Sequence, residues 1–193
     1  MGAGQIETTR QINAGGLNRT ATGSAAAFDT NIAAKISHII PVAETLSLIP
    51  SVTGTASWQR QNGFTEKGAG SLNMKMDEIT VKPVTIKPML TMQKSYSTLE
   101  HGVNMTTSLG IGALWQVNER QTSVTAGFAQ SNVPQFTVAG TRQRPLSGVL
   151  QAGFTLEPTQ GSSLIPKASF TVNSQVNPDQ SNHTGTVHLT WNW

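Results

Sequence analysis

The sequence has no cysteine, and only 12% of its 193 residues are charged. The missing cysteine excludes disulfide frameworks and cysteine-ligated metal sites. The low charge, against about 25% in typical globular chains, argues against a helical bundle, which needs Glu and Lys. It also argues against ordinary disorder, which needs net charge or low complexity. Thr, Ser, Gln, Asn and 18 glycines take the place of the missing charges.

Long apolar runs are also missing, since none approaches the roughly 18–20 residues that a membrane-spanning helix requires. The first residues, Met1-Gly-Ala-Gly-Gln, contain neither a basic region nor an apolar core, so they do not resemble a signal peptide. The chain is therefore expected to be either cytosolic or a fragment without its targeting part. Because the basic residues are scattered, no nucleic-acid partner is expected.

The sequence does contain a repeated alternation of apolar and polar residues, which is typical of β-strands. One face of the final segment carries Val187, Leu189, Trp191 and Trp193. The pattern recurs about nine or ten times along the chain, mostly over about 9–13 residues, whereas a tilted strand needs about 9–11 residues to cross a bilayer. These lengths predict an all-β fold, an antiparallel transmembrane β-barrel of about 8–12 strands.

The domain organisation follows from the same pattern. Residues 1–23 are polar and rich in Gly, Thr and Asn, and they predict a leading loop with one short strand near residues 5–12. Residues 24–193 form the predicted barrel domain. The short connections are predicted at 41–44, 118–121 and 158–162, and the longer ones at 61–70, 97–102, 131–147 and 177–183. Outer-membrane barrels show such alternation of short turns and long loops, which predicts that the long connections share one end.

The connection after Trp58 has a distinctive motif that contains Gly63, Phe64, Glu66 and Gly68. It resembles the hairpin tip of autotransporter β-domains, in which an aromatic-containing strand leads into a Gly-Phe-x-Glu-x-Gly turn. Residues 128–140, followed by 148–154, resemble the next landmark of that family. The Leu-Ile-Pro strand starts at 48–50 and 164–166 resemble it too, so the similarity extends over roughly residues 19–193.

The resemblance implies the translocator of a type V secretion system in the bacterial outer membrane, with no enzymatic activity and no cofactor. In that family a twelve-stranded barrel, with a helix through its lumen, carries an N-terminal passenger to the cell surface. The implied partners are outer-membrane lipid, the barrel-assembly machinery and the chain's own passenger. The sequence departs from the family in its smaller strand number, which suggests missing first strands. It also has no passenger or lumen helix ahead of the barrel, His188 where Gly is frequent, and Trp193 where Phe is usual.

The aromatic residues are candidates for membrane-interface anchors, because amphipathic rings favour the bilayer surface. The candidates are Trp58, Tyr96, Trp115 and Phe154. Ordinary core packing is the alternative for these residues. Aromatic residues make up only 6% of the chain, so the predicted aromatic girdles are sparse.

Glu66 is the most prominent acid in the sequence. Retaining glycosidase chemistry needs a second carboxylate about 5–5.5 Å away, and the sequence suggests none. We therefore predict that Glu66 orders its loop or pairs with Arg60 or Lys67. The four histidines show no metal-binding spacing, and the chain has no Gly-x-Ser-x-Gly elbow.

Two other functions are compatible with the alternating pattern. The first is a small outer-membrane pore or adhesin barrel without a passenger. The second is a soluble β-sandwich binding module, in which the loops 131–147 and 61–70 would form the contact surface. A passenger segment fused upstream favours the translocator, and solubility without detergent favours the sandwich.

The terminal strand gives a first testable prediction. Changing Trp193 to Asp should abolish membrane assembly, because it places a charge at the end of the lipid-facing row of the strand that seals the barrel. Insertion into membranes measures this directly. Unimpaired insertion of the variant would contradict the membrane-barrel interpretation.

Overall fold

The computed structural model describes residues 1–99, 103–118, 121–130, 135–142, 144–158 and 167–190, without the side chains of 97–99 and 180. These ranges are dominated by β-strands. The strands are β1 (Gly2–Ala14), β2 (Leu17–Ser37), β3 (Ile40–Ala43), β4 (Leu46–Gln61), β5 (Phe64–Thr65), β6 (Met74–Met76), β7 (Ile79–Val81), β8 (Val84–Leu99), β9 (Val103–Gln116), β10 (Ser123–Phe128), β11 (Phe136–Ala139), β12 (Leu146–Pro158), β13 (Lys167–Asn177) and β14 (Gln180–Thr190). A 3₁₀ turn at Gly70–Leu72 is the helical element in the described part of the chain.

The described strands form two sheets. The larger has ten strands on the path β1-β2-β4-β8-β9-β12-β13-β14, with β3 and β7 each paired to β4. The smaller has four strands in the order β11-β10-β6-β5. The ladders are antiparallel wherever the residue register is defined. The predicted all-β antiparallel fold is therefore confirmed. Within the described residues, β1 and β14 end the path without pairing to each other, so the sheet is not closed there.

The expected leading loop at residues 1–23 is wrong except for its short strand near residues 5–12, which is part of β1. This segment forms β1 and the first part of β2, which pair from Gly2 opposite Asp29 to Ala14 opposite Leu17. Gly15 and Gly16 close the hairpin with φ angles of 57° and 84°, which suit a tight hairpin turn. The sequence shows no clear alternation of apolar and polar residues in this hairpin, because its two faces are nearly equally polar.

Some of the predicted connections are also wrong. The short connection predicted at 118–121 lies between β9, which ends at Gln116, and β10, which begins at Ser123, and residues 119 and 120 are outside the described ranges. The expected long connection at 177–183 is a tight turn, since β13 ends at Asn177 and β14 begins at Gln180. Of the expected long connection at 97–102, residues 97–99 belong to β8, which extends to Leu99, and residues 100–102 lie outside the described ranges. The predicted alternation of short turns and long loops is therefore only partly correct.

Strand packing divides the chain into two compact units. The first comprises Met1–Ile32, Thr55–Val84 and Val117–Gln143, and the second comprises Ala33–Gly54, Thr85–Gln116 and Arg144–Trp193. Both units are built from several chain segments, because long strands contribute to each. The predicted boundary between residues 23 and 24 stays a prediction.

The second unit exposes its apolar faces and encloses its polar ones. In β12, Leu150 is 54% exposed and Phe154 is 41% exposed, whereas Ser147 on the opposite face is only 5% exposed. A water-soluble sheet normally buries its apolar face against a core. The reversed arrangement means that the apolar face needs an apolar environment outside the protein.

Strand register joins the exposed apolar residues into a continuous band across β8, β9, β12, β13 and β14. Its rows are Leu90–Ile111–Leu150, Met92–Leu109–Ala152–Val172 and Phe154–Phe170–Val187. The rings of Phe154 and Phe170 lie 5.8 Å apart between centroids. We call these residues the apolar band. Scattered exposed apolar residues are ordinary, but a contiguous band marks an interaction surface.

The opposite face of the same strands is closely packed where Gly112 of β9 faces Met89 of β8. A Cβ atom added to Gly112 would lie 2.3 Å from Met89 Sδ and 2.3 Å from the carbonyl oxygen of Pro88. The side chain of Met89 can move, but the backbone of Pro88 cannot without disturbing the ladder. Glycine is therefore required at position 112.

This packing predicts that Gly112→Ala destabilises the fold by about 1–3 kcal/mol, the usual range for overpacking. The temperature at which the protein unfolds in detergent should fall. Gly185→Ala is the matched control, because nothing lies within 4 Å of a Cβ at that position. Equal unfolding temperatures for the two variants would contradict the packing described here.

Candidate functional site: the contact between the first hairpin and residues 62–74

The candidate site lies in the first unit, where the chain beyond β4 continues beside β2. The backbone N–H of Asn62 donates to the carbonyl oxygen of Ala26 at 2.9 Å. Thr22 and Lys67 exchange two backbone hydrogen bonds, both 2.8 Å long. The segment therefore extends the sheet antiparallel to β2, and its alternation places Phe64 and Glu66 on one face.

Phe64 packs against a glycine on the neighbouring strand. A Cβ atom at Gly23 would lie 2.4 Å from Cε2 of the Phe64 ring, so any larger residue would displace the ring. Ala21 and Ala25, which share this face of β2, are 0% and 4% exposed. Small residues on the hairpin thus make room for the aromatic side chain.

Two glycines of the motif shape the segment around Phe64. A Cβ at Gly63 would lie 2.8 Å from the carbonyl oxygen of Met76. Gly68 has a φ of 99°, which disfavours residues with a side chain, and its added Cβ would lie 2.4 Å from the carbonyl oxygen of Thr20. The structure thus brings Gly63, Phe64, Glu66 and Gly68 into one site.

Glu66 joins this segment to β1 through Arg10. Arg10 Nη2 donates to Glu66 Oε2 at 2.5 Å, and Arg10 Nε donates to Oε1 at 3.2 Å. The same Nη2 also donates to the carbonyl oxygen of Leu72 at 2.8 Å. The backbone N–H of Met74 donates to Glu66 Oε2 at 2.8 Å. Glu66 is only 6% exposed, so its carboxylate is a buried acceptor held by several donors rather than a free acid.

The turn between Glu66 and Met74 is held by a second set of contacts around Ala69, which is fully buried. Its N–H donates to Asn73 Oδ1 at 2.8 Å, and its carbonyl oxygen accepts from Arg19 Nη1 at 2.8 Å. Glu66 N also donates to the carbonyl oxygen of Met74 at 2.8 Å. Both strands of the first hairpin thus contribute an arginine to the turn.

The hydrogen bond from Arg10 holds the pKa of the Glu66 carboxyl below its ordinary value. Burial acts in the opposite direction, and the N–H of Met74 adds to the lowering. Because the folded-state pKa is lowered, the contact contributes stability above the ordinary carboxyl pKa of about 4.3. That stability is lost as the pH falls through the lowered folded-state value.

The expected partners of Glu66 are wrong. Arg60 pairs instead with Glu78, at 2.6 Å between Nη2 and Oε2, and both side chains are exposed. Lys67 contacts Thr22 through its backbone, while Arg10 lies on β1, within the short strand that the sequence predicts near residues 5–12. A residue 56 positions away in the sequence gives no local signal.

The other predicted site residues lie apart from this contact. The four candidate interface aromatics Trp58, Tyr96, Trp115 and Phe154 are exposed by 43%, 39%, 50% and 41%. Lys94 Nζ lies 5.1 Å from the ring centroid of Tyr96. In the terminal strand, Val187 and Leu189 are 65% and 56% exposed, while Trp191 and Trp193 lie outside the described residues. The interface and assembly roles of these residues stay predictions.

The family of the chain follows from comparison with known proteins. The family model of the autotransporter β-domain matches residues 1–165. The chain therefore belongs to the autotransporter β-domain family, as its sequence motifs predict, and this membership supports an outer-membrane translocator role. A comparison with curated proteins gave no match.

In the described ranges, no helix has the length and hydropathy that a membrane-crossing helix requires.

The Arg10–Glu66 contact predicts a difference between two Glu→Gln variants. Glu66→Gln should lower the free energy of unfolding by about 1–3 kcal/mol, because it weakens a buried charge-assisted contact. Glu78→Gln, which weakens an exposed ion pair, should have little effect. The measurement is the unfolding temperature in detergent at pH 7.

The same pair of variants tests the pH dependence. Acidification below the lowered folded-state pKa of Glu66 should erase most of the difference between Glu66→Gln and the unmodified chain, because protonated Glu66 also loses its charge. A difference that stays constant with pH would contradict an ionic role for Glu66.

Proposed function

We propose that this chain anchors in the bacterial outer membrane as a translocator barrel and carries an N-terminal passenger to the cell surface. The apolar band is the observation that carries the proposal. It offers a lipid-compatible outer surface across five adjacent strands, with Leu109, Ile111 and Val187 exposed by 57%, 62% and 65%. Such a surface in water would drive aggregation, whereas in a bilayer it is solvated by acyl chains.

The backbone hydrogen bonds also support a location in the membrane. A bilayer contains no water to satisfy free N–H and C=O groups, so strands cross it only as continuous ladders. The ladder between β9 and β12 runs without a shift from Leu146 opposite Trp115 to Pro158 opposite Val103. The ladder between β13 and β14 is equally regular from Lys167 to Asn177.

The enclosed face supports a conduit rather than a reactive site. In the second unit it includes Ser51 and Ser147, which are 9% and 5% exposed, together with Gln151 of β12. Ser147 Oγ accepts hydrogen bonds from Gln175 Nε2 at 3.2 Å and Asn177 Nδ2 at 3.1 Å. Uncharged hydroxyl and amide groups of this kind can line a wet passage. The proposed role is thus mechanical, and it needs neither a cofactor nor an enzymatic activity.

The proposed partners follow from this role. Outer-membrane lipid contacts the apolar band, and the barrel-assembly machinery inserts the strands. The passenger is a polypeptide that precedes the barrel in the full-length protein. The proposed location is the bacterial outer membrane.

Lipid exposure predicts unequal losses of folding for two adjacent arginine substitutions in β12. Leu150→Arg places a charge on the apolar band and should cost about 2–4 kcal/mol if Leu150 lies near the bilayer centre. Gln151→Arg places the same charge on the opposite, polar face and should be tolerated better. The measurement is the fraction of refolded chain that migrates differently on a denaturing gel unless boiled.

The outcome separates the proposed function from its alternatives. Equal folding of the two arginine variants, or solubility of the unmodified chain without detergent, would contradict a lipid-facing band and favour the β-sandwich. Passenger transport needs a second experiment, in which a signal peptide and a reporter domain are fused ahead of Met1. Reporter cleaved by protease added to intact cells supports transport, whereas a folded barrel with an internal reporter favours the pore.

A further inference from the structure

The second unit contains a groove of about 730 Å³ that is lined by residues of β2, β4, β8 and β9 and by His38. Its walls are the exposed side chains of Ile36, Val52, Leu90 and Ile111. Leu90 and Ile111 pair across β8 and β9 and belong to the apolar band. The groove therefore opens on the same side of the sheet as the apolar band. Its volume lies within the roughly 300–1,000 Å³ of typical ligand sites.

The floor of the groove consists of short side chains. Pro50, Pro88 and Ala113 line it between the taller wall residues. Since Ile86 pairs with Trp115, the next residues on the same face of the ladder place Pro88 opposite Ala113. Short residues that face each other in neighbouring strands leave a recess in an otherwise continuous apolar surface.

The two prolines also interrupt the ladders beneath the groove. The N–H of His38 donates to the carbonyl oxygen of Pro50 at 3.1 Å, but the nitrogen of Pro50 has no hydrogen to return the bond. In β8, Ile86 and Met89 pair with β9, whereas the two residues between them do not. Proline is unusual in inner strands such as β4 and β8. Its rigid ring forms the recess before any ligand enters, which lowers the entropic cost of binding.

We propose that this groove holds one acyl chain of an outer-membrane phospholipid and retains it longer than the rest of the apolar band retains its lipids. This inference rests on the proposed membrane location and deepens it by naming a lipid site. The occupant follows from continuity, because the groove interrupts a surface that a membrane-spanning sheet turns toward acyl chains. A recess surrounds a chain on three sides, so it removes more apolar surface from its surroundings than a flat contact does.

One end of the groove is polar, as an amphiphilic lipid requires. Ser37 and His38 line this end, where β2 finishes. Strands of a membrane barrel end near the bilayer surface, where lipid headgroups and ester groups lie. The hydroxyl and imidazole groups thus face the polar part of the lipid, while the acyl chain lies between the apolar walls.

Native mass spectrometry of the refolded chain tests this inference. The probe is dioleoylphosphatidylethanolamine, added to the heat-modifiable barrel in detergent. Ile36→Ala lowers one wall of the groove, whereas Ile32→Ala truncates a similarly exposed side chain of β2 outside it. We expect one retained lipid on the unmodified chain and on Ile32→Ala. Retention by Ile36→Ala should be about tenfold weaker, which corresponds to exposing roughly two methylene groups.

A second pair of variants fills the groove instead of lowering its wall. Ala113→Phe places a ring on the floor, whereas Ala152→Phe places the same ring on the apolar band outside the groove. The first variant should lose the retained lipid, and the second should keep it. Both variants are first checked for heat-modifiable migration. If Ala113→Phe does not fold, the two isoleucine variants decide the result.

The outcomes separate this inference from the proposed function. A heat-modifiable barrel that retains no lipid, or retains it equally in both members of each pair, overturns the inference alone. A dimer that Ile36→Ala disrupts and Ile32→Ala does not also overturns it, because the groove then belongs to an interface between copies. A chain that never becomes heat-modifiable in detergent overturns the proposed function, and the inference with it.

Discussion

The rest of the structure depends on one constraint, which is that strands in a bilayer must satisfy their backbone hydrogen bonds with each other. Long antiparallel ladders meet this constraint, and they turn alternate side chains toward lipid and toward the interior. The apolar band and the polar opposite face of the second unit both follow from it. Glycine at position 112 follows as well, because the close contact with β8 leaves no space for a side chain.

The first unit is stabilised by contacts of a different kind. Its strands carry hydroxyl and charged side chains, and it holds the segment at residues 62–74 with specific polar contacts. The buried carboxylate of Glu66 fixes the turn to β1, while Phe64 fixes it to β2. Charge-assisted hydrogen bonds are directional, so they can position a turn that non-directional apolar packing could not. The same turn leads into β6, which pairs with β5 and β10 in the small sheet.

The sequence allowed the fold class and the family to be predicted, because long strands with unequal faces give a clear period of two. The motif at Gly63–Gly68 could also be recognised, since its glycines and its aromatic residue follow a fixed local spacing. The first hairpin could not be predicted, because residues such as Gln5, Thr8 and Thr22 leave neither of its faces apolar. Arg10 was missed for the same reason, and no local pattern connects it to Glu66. The groove in the second unit required the register between β8 and β9, which sequence periodicity does not contain.

Spin labelling along β12 tests the lipid-facing band most directly. The chain contains no cysteine, so single cysteines introduced at positions 148–156 can each carry a nitroxide without the prior removal of native cysteines. In lipid vesicles, labels at even positions should be accessible to lipid-soluble oxygen, and labels at odd positions to a water-soluble nickel reagent. An alternation with the opposite phase, or uniform access to the nickel reagent, would contradict a membrane-spanning β12.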